Sequence, residues 1–201
     1  MQSKISFVWS VCIISFVGAL FAALIIFFPI SASAPDGFIQ DTNIIIPKKV
    51  LSQLPVQLKI PKIHVDAFIE YVGITATGAM DAPTGPNDVA WFDLGPRPGD
   101  VGNAIIAGHY GWKDNIPAAF DNLSKLKAGD IINTEDGVGS TTTFIVRKTQ
   151  IYGESSSVSD VFDSTDGIAH LNLITCEGVW NDVTKSYSGR LVVFADEVNQ
   201  K

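Results

Sequence analysis

The chain has 201 residues, 46% of them hydrophobic, and a formal net charge of −7. That length holds one domain with a substantial core and leaves little room for two. Beyond residue 30 there are 13 basic residues against 21 acidic ones, and no Lys/Arg cluster to meet a phosphate backbone, which argues against nucleic acid as a partner.

The first predicted element is the apolar run Phe7–Ile30, "FVWSVCIISFVGALFAALIIFFPI", which carries no charge. As a helix its 24 residues span about 36 Å, enough to cross a hydrocarbon core of about 30 Å. A cleaved signal peptide has an apolar region of only about 7–15 residues. Small residues do follow at Ala32 and Ala34, but a proline after the cut disfavours cleavage. The run therefore reads as an uncleaved single-pass anchor, with residues 1–6 as a short cytoplasmic tail. Lys4 and the amino terminus favour that orientation, which places the remaining chain outside the cell membrane.

Residues 31–55 are mixed in character and are expected to form a stalk, with the triplet Ile44–Ile46 docking on the domain that follows. The domain itself is expected over residues 56–201. "VQLKI" and "VDAFIEYV" flank the Pro61 turn, and "NAIIAGH", "DIINTE", "TTTFIVRKTQIY", "HLNLITC" and "RLVVFA" continue a series of strands rich in Ile, Val, Thr and Phe. Turns dense in Pro, Gly and Asp separate them. Phe120, Leu123 and Leu126 recur near helical spacing and predict a helix over "NIPAAFDNLSKL", and a short turn is expected at "SVSDVF". Many strands with few helices predict a mostly β, closed or nearly closed antiparallel barrel.

Cys12 lies within the apolar run, so Cys176 has no partner for an intramolecular disulfide in the rest of the chain. Two readings stand: a small buried hydrophobe, or a nucleophile at a strand end. A cysteine nucleophile needs a proton carrier and a group to meet the developing oxyanion. His109 ends the strand "AIIAG" at a rim and is the better proton carrier. His64 sits early in the domain, and His170 lies about 20 Å from Cys176 along an extended strand. Arg190 begins the last strand and faces Cys176 if the two strands run antiparallel, whereas the bland alternative is a surface pair with Glu177 or Asp182. Arg97, in a turn, and Arg147, in mid-strand, have weaker claims. The chain has no HExxH, no CxxC, no calcium-loop pattern around Glu135 and Asp136, and no phosphate-binding glycine loop, so no metal and no cofactor is predicted.

"AIIAGHYGW" with His109, "NLITCEG" with Cys176 and "YSGRLVVFA" with Arg190 resemble the three catalytic motifs of the sortases, in the same order and strand context. "DAPTGPNDVAWFDLGPRPGDVGNAIIAGH" and "LKAGD" add to the likeness, which covers Val56 to Ala195 and is most similar to the class F branch, with classes D and E as neighbours. The resemblance implies an eight-stranded sortase barrel with one or two short helices behind a transmembrane helix. It implies a membrane-anchored cysteine transpeptidase that cleaves an LPxTG-like C-terminal sorting signal between Thr and Gly. Cys176 would attack the threonine carbonyl, His109 would protonate the departing amine, and Arg190 would hold the oxyanion or the substrate backbone. The implied partners are surface proteins bearing the signal, an amine acceptor on cell-wall material or another protein, and the bilayer. Where many members have threonine directly before "LxTC", this chain has Asn172, for which a packing effect alone is expected. Tyr110, Trp112 and Trp180 line a groove or pack in the core. The rival readings are a hydrolytic extracellular cysteine peptidase and a non-catalytic anchored binding module.

Overall fold

Period-two alternation builds the wall of the domain. In β1 (Pro55–Ile60) Leu58 and Ile60 are buried, and in β2 (Val65–Val72) Val65, Ala67 and Ile69 turn inward while Asp66 and Phe68 turn out. A 3-10 turn over Pro61–Ile63 joins them and closes on His64, whose left-handed backbone (φ 57°) makes it a turn residue. The structure is a computed structural model, and it describes residues 53–153 and 155–198. The predicted tail, the apolar run at 7–30 and the Ile44–Ile46 triplet lie outside the described residues. Among the described residues no helix is long and apolar enough to cross a membrane.

The remaining elements are β3 (Val89–Phe92), β4 (Gly102–Gly108), β5 (Ile131–Asp136), β6 (Thr141–Gly153), a four-residue helix α1 (Ser159–Phe162), β7 (Ala169–Asn181) and β8 (Ser186–Glu197). The eight strands close in the order β1-β2-β3-β4-β7-β8-β6-β5, with β5 returning to β1. The expectation of a wholly antiparallel barrel is corrected at two seams, because β2–β3 and β4–β7 are parallel. A parallel seam needs a crossover. Residues 73–88 supply the first, and the excursion through β5, β6 and α1 supplies the second.

The predicted helix over "NIPAAFDNLSKL" is also corrected. Pro117 holds Ile116 extended (φ −68°, ψ 130°), and the chain forms only a 3-10 turn at Leu123–Lys125. The apolar spacing there served burial instead, since Phe120, Leu123 and Leu126 plug the barrel interior. Conversely "SVSDVF" holds α1.

Two apolar clusters explain the continuous hydrophobicity of β7 and β8. Leu171, Leu173, Leu191, Val193 and Ala195 face the barrel interior, while Val192 and Phe194 face outward against Ile105, Tyr152 and the Val161 of α1. Strands covered on both sides lose the alternating pattern. Two buried amides fasten this cover. Asn103 Nδ2 lies 3.1 Å from each of the Asp160, Val161 and Asp163 carbonyls, and Asn172 Nδ2 donates to the Val161 carbonyl at 2.7 Å. These are the orphan carbonyls at a helix end. Asn172 therefore positions α1 from within the cysteine strand.

His170, at the opposite end of β7 from Cys176, is buried between two carboxylates. Its Nδ1 is 2.7 Å from Asp196 and its Nε2 is 3.0 Å from Asp166, while Arg147 reaches Asp196 at 3.2 Å. The backbone N–H of Ile168, the Ser164 hydroxyl and His170 hold the Asp166 carboxyl down to about 2. A depressed carboxyl contributes stability that is complete above its unfolded value of about 3.9 and is lost as pH falls through about 2. Thermal melts of wild type and Asp166→Ala are therefore expected to differ most above about pH 4 and to converge toward about pH 2. A gap that stays constant across that range would contradict this assignment.

Candidate active site

Because β4 and β7 run parallel, they leave the barrel at the same rim. The register pairs Ala107 with Ile174, so two residues further on His109 stands level with Cys176. On the other side of β7 the antiparallel register sets Cys176 directly opposite Arg190 of β8. Three adjacent strands thus bring together the three residues named from sequence. Directly opposite residues have Cβ atoms only about 4.5–5.5 Å apart.

The seam between histidine and cysteine is fastened just below the rim. The buried Thr175 hydroxyl donates to the Gly108 carbonyl at 2.7 Å, and the Phe120 N–H donates to the His109 carbonyl at 3.1 Å. Gly108 is required by close approach, since a Cβ there would stand 2.5 Å from the Phe120 ring. After Cys176 the hairpin is re-aimed by an irregularity between Glu177 and Trp180 that includes Gly178 at φ 91°, a conformation glycine adopts without strain.

His109 is half-buried, with Nε2 2.8 Å from the Pro83 carbonyl. A carbonyl only accepts, so this nitrogen carries hydrogen and Nδ1 is left for proton exchange. The imidazole also meets Trp112 at a ring separation of 4.6 Å. Cys176 is half-buried and belongs to neither apolar cluster, which removes the reading as a buried core hydrophobe. Arg190 is exposed and pairs with neither Glu177 nor Asp182. Its Nη1 donates to the carbonyls of Gly189 (2.8 Å) and Tyr187 (3.2 Å), and its Nη2 lies 3.5 Å from the Ser186 hydroxyl. Asp182 instead accepts from the Trp180 indole at 3.0 Å.

Two grooves meet at this cluster, and His109, Cys176 and Arg190 line both. One, of about 560 Å³, runs between residues 79–83 and the α1 region over Met80, Val161, Phe162, Ile174 and Val192. The other, of about 870 Å³, lies between the 110–116 loop and the β7–β8 hairpin. Tyr110, Trp112, Trp180 and Tyr187 line it, with Tyr187 packed edge-on against Tyr110 (5.7 Å) and Trp180 (5.2 Å). The three aromatics singled out in the sequence thus serve a groove wall. Burial, then the neighbouring Cys176, push the Tyr187 phenol upward. Asp121 holds the loop after the histidine, accepting from the N–H of Gly111 (2.6 Å) and Ala118 (3.0 Å).

The other weighed residues stand apart. Arg97 pairs with Asp100 at 2.8 Å, Glu135 with Lys59 at 2.7 Å, and Asp136 caps its own turn through the N–H groups of Val138 and Ser140. His64 and His170 line neither groove. Among the described residues no group of three or more His, Cys, Asp or Glu is placed to hold a metal ion. Sequence reading missed Thr175, Asp121, Tyr187 and the Pro83 carbonyl. The threonine next to the cysteine was a legible signal, whereas a backbone carbonyl carries none.

Thr175 acts through the position of Gly108 and His109. Thr175→Val is expected to lower stability by about 1–3 kcal/mol and to slow turnover by about tenfold or more, while Thr175→Ser retains both. Chemical denaturation and single-turnover rates check this; a valine variant as active as wild type would remove the positioning role.

Comparison with known proteins follows the same pattern. The sortase domain family model matches residues 58–198. Among solved structures, sortase C-1 from Actinomyces oris shares 26% identity at a TM-score of 0.57, over 73% of this chain and 76% of that one. A Clostridium perfringens sortase D5 transpeptidase shares 22% at 0.56, over 76% and 86%. A lid mutant of sortase A from Corynebacterium diphtheriae shares 22% at 0.57, over 74% and 72%. Among curated proteins none matches. The structural likenesses spread over classes A, C and D at nearly equal scores, so they show the shared fold without favouring the class F branch. The family match spans most of the chain, and the chain belongs to the sortase family of cysteine transpeptidases.

Proposed function

We propose that this chain is a membrane-anchored sortase whose domain works outside the cell, held by the apolar run at 7–30, and that Cys176, His109 and Arg190 carry its chemistry. The observation that carries the reading is a half-buried thiol flanked by an imidazole and a guanidinium where two adjoining grooves meet. The groove beyond the thiol gives an acceptor amine a path to the thioester once the leaving segment has gone, and the dependence of product on added amine separates transfer from hydrolysis.

The groove under α1 receives an LPxTG-like sorting signal, its apolar walls taking the apolar residues that precede the threonine. The Cys176 thiolate attacks the threonine carbonyl carbon, and the oxyanion that forms is met by the Arg190 guanidinium, which exchanges backbone carbonyls of its own strand for the substrate. Collapse expels the glycine amine, which takes a proton from His109. The aromatic groove then admits an amine on cell-wall material or another protein, and His109 accepts the proton that this amine releases. Water reaching the thioester gives hydrolysis as the slower outcome.

Three substitutions separate these roles. Cys176→Ala abolishes thioester formation, His109→Ala lowers turnover by about 10²–10⁴-fold, and Arg190→Ala lowers it by about 10²–10³-fold. Arg190→Lys is expected to rescue little, because an ammonium lacks the planar fork. Mass spectrometry of the protein with a library of LPxTG-like peptides should find an adduct on Cys176 and product that rises with added amine. An adduct resolved only by water, whatever the amine, would point to a hydrolytic peptidase.

A further inference from the structure

We propose that the groove between the 110–116 loop and the β7–β8 hairpin selects an acceptor amine borne on an anionic molecule, an amino compound with a carboxylate close to the nitrogen, through Lys113 and Lys185. This rests on the transpeptidase reading above.

The chain as a whole is acidic, at −7, yet this groove gathers Lys113, Lys185 and Arg190. Among the described residues its only lining carboxylate is Asp121, whose two oxygens are taken by the N–H groups of Gly111 and Ala118. Lys113 forms no ion pair with any described residue. Lys185 reaches Asp182 at 3.7 Å with side chains 70% and 86% exposed, a pairing that leaves its charge available. Arg190 is held by carbonyls and a hydroxyl, not by an anion. Asp114, Glu177 and Asp182 are near in sequence, but none lines the groove. The groove on the other side of the thiol holds no lysine, is walled by apolar side chains and carries Asp81. Arg190 lines both grooves, so the difference in charge between them rests on Lys113 and Lys185 on one side and Asp81 on the other.

The chemistry gives this asymmetry a use. An amine attacks only as the neutral base, and surrounding positive charge disfavours the ammonium form. The same charge repels a simple alkylammonium on approach, unless the molecule brings an anion that the lysines attract. A carboxylate beside the nitrogen meets both requirements, with Trp112 and Trp180 flanking its path. In the transfer step the amine nitrogen bonds to the thioester carbonyl carbon, the C–S bond breaks with its electron pair returning to Sγ of Cys176, and the surplus proton passes to His109.

The test uses the full chain, a sorting-signal peptide it cleaves, and three diamines that carry two, one and no carboxylates: 2,6-diaminopimelate, lysine and cadaverine. An α-amine is less basic than an alkyl amine, so the wild-type ratio is read against that of the double lysine variant. The acceptor kcat/KM is expected to rise with carboxylate number, by about tenfold or more from cadaverine to diaminopimelate at low salt, and this ratio should shrink in concentrated NaCl. In the Lys113→Gln/Lys185→Gln double variant the ratio should fall several-fold. Amine basicity is the same against both proteins, so the change in ratio isolates the lysines. Equal use of the three amines by wild type, or a ratio the double variant leaves intact, would overturn this inference alone. Hydrolysis with no product from any amine would overturn the transpeptidase reading and this inference with it.

Discussion

The parallel seam between β4 and β7 is the constraint on which the rest of the site depends. Parallel strands point the same way, so the chain leaves the barrel twice at one rim, once as His109 and once as Cys176. The Thr175 hydroxyl on the Gly108 carbonyl fixes the two exits at a common height, and the bare Gly108 lets Phe120 close under them. With β8 antiparallel on the far side, Arg190 falls opposite the cysteine without further adjustment. An antiparallel β4–β7 pair would send the histidine to the other end of the barrel.

Rigidity below the rim and openness above it follow from the same strands. β7 and β8 are buried on both faces until Thr175 and Leu191, between the interior cluster and the outer one covered by α1. Beyond that level the side chains become half-buried or exposed and the hairpin carries Trp180, Lys185 and Tyr187 outward. Groups mounted on well-packed strands keep their spacing, while the exposed hairpin and the 110–116 loop form the walls above them. Asn172 ties the two requirements together, since the cysteine strand itself holds the helix that walls the apolar groove.

Much of this was legible in the residues. Period-two alternation and β-branched runs identify the strands, and the ends of the apolar runs at His109, Cys176 and Arg190 identify the candidates for chemistry. The expected strand ends are corrected at two of them, because β7 continues past Cys176 to Asn181 and β8 begins at Ser186, before Arg190, where the apolar pattern gives way to an exposed hairpin. What stayed hidden was relational. Strand direction across β2–β3 and β4–β7 depends on crossovers that no local pattern encodes. The helical spacing of Phe120, Leu123 and Leu126 was a true burial signal whose secondary structure was overridden by Pro117 and by bonds to Asp121. The hydrogen bond from His109 to the Pro83 carbonyl involves a backbone atom, and the double carboxylate clasp on His170 joins residues 4 and 26 positions away. The charge difference between the two grooves likewise appears only once the hairpin and the loop are brought face to face.

His109 and Cys176 are proposed to act as one proton-sharing unit where the grooves meet. The most direct measurement is the alkylation rate of Cys176 as a function of pH, mapped by peptide mass spectrometry in the folded full-length chain, for wild type and His109→Ala. Such a unit predicts a thiol that is alkylated without unfolding and a pH–rate profile that moves when the imidazole is removed. A thiol protected until the domain unfolds, or superimposable profiles for the two proteins, would contradict it.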